Sequence, residues 1–402
     1  VKIVKIMNLY PSYVDYFYRK NPGLREKTYA EQKAALDFDS FGQADYISYM
    51  LTPLGYEVME IRLNVEPLQR AWARENSLHL KTAGLIDIAL EQIKRFKPDI
   101  VLFAGQDKEF LSNIRSGVSS IRLVIGFSGS AVPNTHIFRQ MDLVLSCAPE
   151  AVQHLRETGI KAVQLQHGFD PRIISRLDEG AKHIGFSFVG QLVRNTRFHL
   201  NRERVLEKIA SLTDIAIYST SSEFGLLDDI KTLLKVGIYG GSQVMKTAGV
   251  PKTVISAIPL LNKASQWQSK PLPPYSRKLK KFMRPAVFGL DMFRTLRDSK
   301  IVLNIHADSS PLFASNQRLF ETTGVGTCLV SDWKENIGEL FEPDSEIVTY
   351  KTAEECAEKV KWLLNHSEAL ERIAVAGQAR TLKNYTISRR GERLHEIIQS
   401  CL

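Results

Sequence analysis

Arg318 and Glu321 lie three residues apart in the run Asn316-Gln-Arg-Leu-Phe-Glu-Thr-Thr-Gly-Val-Gly-Thr-Cys-Leu-Val-Ser-Asp332. On a helix that spacing sets a cation and a carboxylate one turn apart. A guanidinium offers paired donors to a phosphate, and a carboxylate accepts from the hydroxyls of a ribose. A helix start adds unpaired N–H groups and a positive dipole end, so these residues suit a diphosphate joined to a nucleoside. Asn316 adds an amide that can orient phosphate or sugar. The helix is expected to be capped by Ser315, to bury Leu319 and Phe320, and to end at Gly324 or Gly326 before the strand 328–330. The plainer alternative is an Arg/Glu pair on the surface of an ordinary amphipathic helix.

Other chemistry-bearing residues cluster at predicted strand ends. His306 and Asp308 leave the strand 301–305, where they can touch a donor sugar or its diphosphate; a histidine bonded to a nearby carbonyl is the alternative for His306. Gly190 follows the strand 186–189 and lets backbone approach a ligand, and the loop Gln191-Leu-Val-Arg194 leads on toward the helix 202–210. Asp107 follows the strand 99–104 and the turn Gly105-Gln106. It is a candidate general base, unless it caps the helix 109–114. Ser128 and Ser130, in the loop 126–133, are placed to bind acceptor or donor phosphate, with His136 and His167 as further candidates. Asp37-Phe-Asp39 has the D-x-D form of a metal site but precedes an amphipathic helix, with Asp39 or Ser40 available as a cap, so no metal is expected. Gly240-Gly241-Ser242 lacks a following Lys-Ser/Thr and reads as a turn, not a phosphate loop.

The elements that must position these groups alternate. Short apolar strands at 2–7, 57–62, 99–104, 122–126, 143–146 and 162–164 are separated by helical patterns such as 43–54, 67–75 and 85–96. A second series starts at 184–190 and continues at 215–218, 301–305, 328–330 and 347–350. Apolar strands alternating with helices predict parallel sheets covered on both faces. The 402 residues suit two Rossmann-like domains: 1–167 on the acceptor side, a linker at 168–183, a nucleotide-sugar domain at 184–380, and a C-terminal helix at 381–402 that can pack back on the first domain. The ligand cleft is expected at the C-terminal ends of both sheets.

From Arg318 to Tyr385 the chain resembles the CgeB-like glycosyltransferases. There a run like N-x-R-L-F-E-A-T-G-V-G-T-C-L-L-T-D precedes E-L-F-E-P-G, present here as Glu339-Leu-Phe-Glu-Pro343, and a helix like that opened by Thr352-x-x-Glu355. Val287-Phe-Gly-Leu-Asp-Met-Phe293 and Ser299-Lys-Ile-Val-Leu-Asn-Ile-His306 extend the likeness upstream. The segments 66–73, 126–133 and 168–172 extend it into the first half. The resemblance implies a GT-B fold, with two Rossmann-like domains facing each other across a cleft and a group 1 type C-terminal domain. It also implies transfer of a sugar from a nucleotide donor. It carries the ribose contact to Glu321. Where retaining GT-B enzymes read V-G-R-L this chain has Gln191, leaving Arg194 or Arg197 for the diphosphate, and the glutamate expected eight residues before Glu321 is Phe313, so its sugar contact has no counterpart. The similar Q-D pair of the family supports Asp107.

Composition agrees: 44% hydrophobic and 24% charged residues, with no apolar run near the ~20 residues that span a bilayer. Residues 1–6 read as a strand and not as a signal peptide, and cysteines 147, 328, 356 and 401 lack metal-site spacing, so a cytoplasmic protein is expected. The net charge of +9 is concentrated: between Asp229 and Asp291 there are eleven Lys and Arg and no acidic residue. Within it, Arg277, Lys278, Lys280, Lys281 and Arg284 surround Leu279, Phe282 and Met283, a pattern suited to the inner face of an anionic membrane or to a lipid-linked acceptor. A solvated loop is the alternative. No nucleic-acid motif accompanies the charge. The expected partners are thus a nucleotide sugar and a glycan or lipid-linked acceptor, without cofactor, metal or nucleic acid. A sugar-nucleotide epimerase or hydrolase, or a noncatalytic scaffold, are the competing functions.

Overall fold

The computed structural model describes residues 1–78, 83–129, 135–192, 194, 199–265, 267, 270–273 and 275–402. The first domain is a six-stranded parallel sheet formed by β1 (Lys2–Met7), β2 (Glu57–Arg62), β3 (Ile100–Ala104), β4 (Leu123–Phe127), β5 (Leu143–Ser146) and β6 (Ala162–Gln164), in the order β2-β1-β3-β4-β5-β6. The second contains β7 (Ile184–Val189), β8 (Ala216–Tyr218), β9 (Met283–Arg284), β10 (Ser299–Asn304), β11 (Cys328–Asp332) and β12 (Val348–Tyr350), ordered β12-β11-β10-β7-β8-β9. Every pairing is parallel, with Ile3 opposite Val58 and Ile100 in the first sheet and Ile301 opposite Phe186 and Cys328 in the second. Such strands are buried on both faces, which explains runs such as Ile-Val-Leu-Phe at 100–103. Each sheet has one point where successive strands run off in opposite directions, between β1 and β3 and between β7 and β10. Loops diverge there and leave a crevice.

Each sheet is sandwiched between two apolar clusters. Val4, Phe103 and Phe110 lie on one side of the first sheet, and Ile3, Leu102 and Ile125 on the other. The chain crosses to the second domain at Gly168–Phe169 and returns at Tyr385–Ile387, and the two crossings are hydrogen-bonded together: Phe169 N–H donates to the Tyr385 carbonyl (2.7 Å) and Ile387 N–H to the Phe169 carbonyl (2.9 Å). A Cβ on Gly168 would sit 2.9 Å from the Thr386 carbonyl oxygen, so only glycine lets the crossings lie this close. After the return, the helix Ile387–Gln399 puts Ile387, Leu394, Ile397 and Ile398 into the core of the first domain, against the helix Tyr46–Leu51.

Several local expectations are corrected. Gly240-Gly241-Ser242 is not a turn but part of the helix Leu226–Thr247, because neither glycine has positive φ and the flanking Leu, Ile, Lys and Met residues carry the helix through. Ser315 does not cap the next helix, which runs Arg318–Gly324 with Gln317 at its N-cap; Ser315 Oγ instead meets Ser310 Oγ at 3.4 Å. Asp39 is not a helix N-cap, and Ser40, which stands before the short 3-10 helix Phe41–Gln43, makes no side-chain capping hydrogen bond there. Asp39 ends the helix Tyr29–Phe38 and accepts from Tyr13 Oη (2.9 Å) and, across the domain boundary, from Leu290 N–H (3.3 Å). Asp37 pairs with Arg62 and with Lys33. Both carboxylates of the D-x-D run are engaged within the protein.

Burial pushes the Asp39 carboxyl up to about 6 from its ordinary 3.8, outweighing the hydrogen bonds from Tyr13 and Leu290. The folded state therefore holds that proton more tightly than the unfolded chain. Its contribution to stability is full below pH 4 and is lost as pH rises to about 6. Asp39→Asn is expected to flatten this component of the stability profile, read as urea midpoints between pH 4 and 7. An unchanged slope would remove Asp39 as its source.

Candidate functional site

A cavity of about 570 Å³ lies between the domains. Asn8, after β1, and Ala104, the last residue of β3, line it on one side, and Gly190 and Ile305, after β7 and β10, line it on the other, so it joins the two crevices that the strand orders create. Gly190 can take no side chain without meeting the Phe188 ring at 3.0 Å, and its N–H donates to the Tyr218 carbonyl (3.1 Å).

The second-domain wall carries Arg202, Asn316, Arg318 and Glu321. Arg202 comes from the first turn of the helix Leu200–Leu212, where its Nη1 reaches His199 Nε2 (3.0 Å) and the Gln191 carbonyl (3.4 Å). Burial pushes its guanidinium down to about 10 against the opposing pull of Asp332 and Asp308. Arg318 pairs with Glu321 at 2.8 Å and rests on Met292 Sδ at 3.3 Å. Burial raises the Glu321 carboxyl above the ordinary range, and Arg318 opposes this. Asn316 donates to Asn304 Oδ1, and Asn304 in turn donates to Ser331 Oγ (2.9 Å). Arg202 Nε, Arg318 Nε and Asn316 Oδ1 are buried without a partner. Buried polar atoms are nearly always paired, and three exceptions on one cavity wall are what an unfilled ligand site leaves.

Opposite them stand Lys5, His167 and Arg390. Burial pushes the Lys5 ammonium down to about 8, and Glu60 opposes the shift. Burial, helped by Arg390, pushes the His167 imidazole down to about 3, so it is neutral at physiological pH and weakly basic. Arg390 belongs to the returning C-terminal helix, and its Nε is also unpartnered. Among the described residues that line the cavity, Lys5, Arg202, Arg318 and Arg390 are the cations and Glu321 is the carboxylate. That balance favours a polyanion.

Of the residues singled out in the sequence, Gly190, Asn316, Arg318 and Glu321 share one wall. Arg194 does not line the cavity: it is held by Glu203 (2.8 Å) and by the carbonyls of Pro273 and Tyr275, both 2.9 Å away. Arg197 and Ser130 lie outside the described residues. Asp107 is exposed, away from the cavity, and its Oδ1 accepts from Phe110 N–H (2.9 Å), the capping alternative. Ser128 is buried and its N–H donates to the Leu145 carbonyl (2.9 Å); its neighbours Phe127 and Gly129 face the cavity. His306 is buried behind the wall, with Nδ1 2.7 Å from Asp332 Oδ1 and Nε2 unpartnered. Burial pushes the Asp332 carboxyl up, but His306 and Lys334 more than offset it and hold it below the ordinary range. Asp308 Oδ2 accepts from Asn201 N–H (3.0 Å), so it orients the helix start that presents Arg202.

The basic segment is also rearranged. Leu279 and Met283 are in the second-domain core and Phe282 packs against it, so they are not a membrane-facing apolar set. Among the cations around them, Arg277 pairs with Asp229 (3.4 Å) and Lys278 with Glu207 (3.1 Å), while Lys280 donates to the Ser222 and Phe224 carbonyls. Lys281 lies over Phe282 and Arg284 donates to the Met283 carbonyl (3.0 Å). Sequence reasoning missed Arg202, Lys5 and Arg390. The first turn of the helix after the Gly190 loop was a signal for Arg202; the other two are brought in by tertiary folding.

Two Rossmann-like domains facing each other across a cleft define the GT-B fold, and this chain has it. Residues 226–396 match a family model described as glycosyl transferase-like. A glycosyltransferase from Rickettsia africae superposes with a TM-score of 0.54 at 11% identity, over 100% of this chain and 98% of that one. Anabaena HepE, in complex with UDP and glucose, gives 0.52 at 10% identity over 99% of both chains. Sucrose-phosphate synthase from Thermosynechococcus elongatus gives 0.52 at 8% identity, over 99% of this chain and 98% of that one. No curated protein matches the chain.

Proposed function

We propose that the protein is a glycosyltransferase that binds a nucleotide sugar in this cleft and passes the sugar to a glycan or lipid-linked acceptor in surface-polysaccharide assembly. The reading is carried by four cations converging on one cavity, with unpaired nitrogens on Arg202, Arg318 and Arg390. Arg202 and Arg318 take the diphosphate, Glu321 accepts from the ribose, and Asn316 orients the sugar or the phosphate beside it. In the transfer, the bond from the anomeric carbon to the β-phosphate oxygen breaks, and the acceptor hydroxyl oxygen bonds to that carbon as its proton passes to the departing diphosphate. Charge grows on the leaving phosphate, and preorganised guanidiniums lining the cleft stabilise it. No divalent metal is required in this scheme. Anabaena HepE, whose structure is in complex with UDP-glucose, makes UDP-sugars the first donors to try. In this reading the enzyme works in the cytoplasm, at the inner face of the membrane where a lipid-linked acceptor would be held.

The test is thermal unfolding with UDP-, GDP-, dTDP- and CMP-sugars, followed by product analysis in EDTA. One donor should raise the midpoint, by up to ~2.7 kcal/mol of stabilisation at a hundredfold excess over Kd. Transfer should persist in EDTA. Absence of protection by every donor would reject the reading. Release of free sugar or an epimerised donor without acceptor would replace it with hydrolysis or epimerisation, and activity restored only by Mn²⁺ or Mg²⁺ would overturn the metal-free scheme.

A further inference from the structure

The helix Leu226–Thr247 is built inside out. Leu227, Ile230, Leu234, Gly237, Gly241 and Val244 recur at intervals of three and four, so they form one stripe, with Leu233 at its margin. That stripe faces outward: Leu227 is 72% exposed, Leu233 69%, Leu234 64% and Val244 66%. The inward side carries Thr232 and Ser242, both buried, and Tyr239, which stacks on Trp267. Asp229, at the first turn, accepts from Tyr275 Oη. A helix that only dissolved in water would be turned the other way round. The next two helices, Lys252–Ala257 and Pro259–Ser265, continue the pattern with exposed Val254 and Leu260 and, between them, exposed Ile258.

Beyond the first turn of the helix, where Asp228 pairs with Lys231 (3.8 Å) and Asp229 with Arg277 (3.4 Å), the charges around this surface have one sign. From residue 230 to 290 the chain has no carboxylate side chain, and Lys231, one turn from Leu227, is exposed, as are Lys235 and Lys263. With 22 residues the first helix is about 33 Å long, and no helix among the described residues is long and apolar enough to cross a membrane. An exposed apolar stripe flanked by lysines is what an interfacial helix needs: side chains that enter the acyl boundary, and ammonium groups at the level of anionic headgroups. A second copy of the chain is a poorer occupant, because pairing these surfaces would oppose like charges and the apolar side chains are spread over three successive helices.

We propose that residues 226–265 dock the protein on an anionic bilayer, with the outward stripe of Leu226–Thr247 immersed in the headgroup region. This places the membrane contact on a different surface from Arg277–Arg284, whose apolar residues are occupied in the core. It also fits the position of the cleft. The docking helix begins just beyond the C-terminal end of β8, the strand whose Tyr218 carbonyl holds Gly190, so it springs from the same sheet edge that opens into the cavity. The docking stands independently of the sugar-transfer reading.

The experiment is cosedimentation of the full chain with phosphatidylglycerol-containing vesicles and with phosphatidylcholine vesicles, at low salt and at ~1 M, where the Debye length is ~3 Å. Preference for the anionic vesicles, reduced at high salt, is expected. The combined variant Leu227→Gln, Leu234→Gln, Val244→Gln should lower partitioning at least about tenfold, since each replaced side chain contributes apolar burial. Lys231→Gln with Lys235→Gln should reduce the preference for anionic lipid, and both variants should retain the wild-type unfolding midpoint. Absence of binding by the wild type, or binding unaffected by the apolar variant, overturns the proposal. A wild-type dimer that the apolar variant dissociates in sedimentation equilibrium, without vesicle binding, would assign the surface to a second copy instead.

Discussion

Replacing Arg202 by alanine is expected to weaken nucleoside diphosphate binding by roughly ten- to a hundredfold, because a charge-assisted hydrogen bond to a buried ligand is worth ~1.5–3 kcal/mol. Arg318→Ala should have an effect of the same size, while also releasing Glu321 from its 2.8 Å ion pair. Glu321→Gln should separate the roles: affinity for a nucleoside diphosphate falls, and affinity for inorganic diphosphate does not. Arg194→Ala should leave ligand affinity unchanged, since that guanidinium is held by Glu203 and two backbone carbonyls. Calorimetric titration with UDP and with inorganic diphosphate reads all four. Wild-type affinity in both Arg202→Ala and Arg318→Ala would remove the diphosphate from this wall.

The largest stability effect is expected at Arg172. Its guanidinium bonds Asp45 of the first domain at 2.8 and 2.9 Å, bonds Asp170 at 2.8 Å, and lies 3.9 Å from the Tyr49 ring centroid. Asp170 is fully buried. Arg172→Ala leaves that carboxylate without its cation, and breaking such a pair costs about 3–5 kcal/mol. Arg172→Lys should recover only part of the loss, because one ammonium cannot serve two carboxylates as a planar fork does. Urea unfolding of both variants is the measurement. A loss below about 1 kcal/mol in Arg172→Ala would mean that the clamp does not hold the domains.

The strands were legible because buried parallel strands are short apolar runs, and Lys2–Met7, Glu57–Arg62 and Leu143–Ser146 have the bounds their residues suggest. One wall of the cleft was legible for a related reason: Asn316, Arg318 and Glu321 fall within six residues, and Gly190 marks a strand end. Lys5 and Arg390 were not, because 385 residues separate them in a chain that brings them to one cavity only through folding. The region 226–265 misled for a different reason. Its helix exposes apolar residues and buries small polar ones, a pattern opposite to that of an ordinary surface helix. Gly240 and Gly241 then read as a break where the helix continues.

The return of the chain at Tyr385–Ile387 bears on how the protein is made. Strands β1 to β6 emerge from the ribosome long before Ile387, Leu394, Ile397 and Ile398, which fill one face of the sheet those strands form. During synthesis the first domain must therefore wait with that face open through some two hundred further residues, at ~5–20 residues per second. The nascent chain carries an exposed apolar surface for many seconds, and the helix that closes it is made only after the whole second sheet.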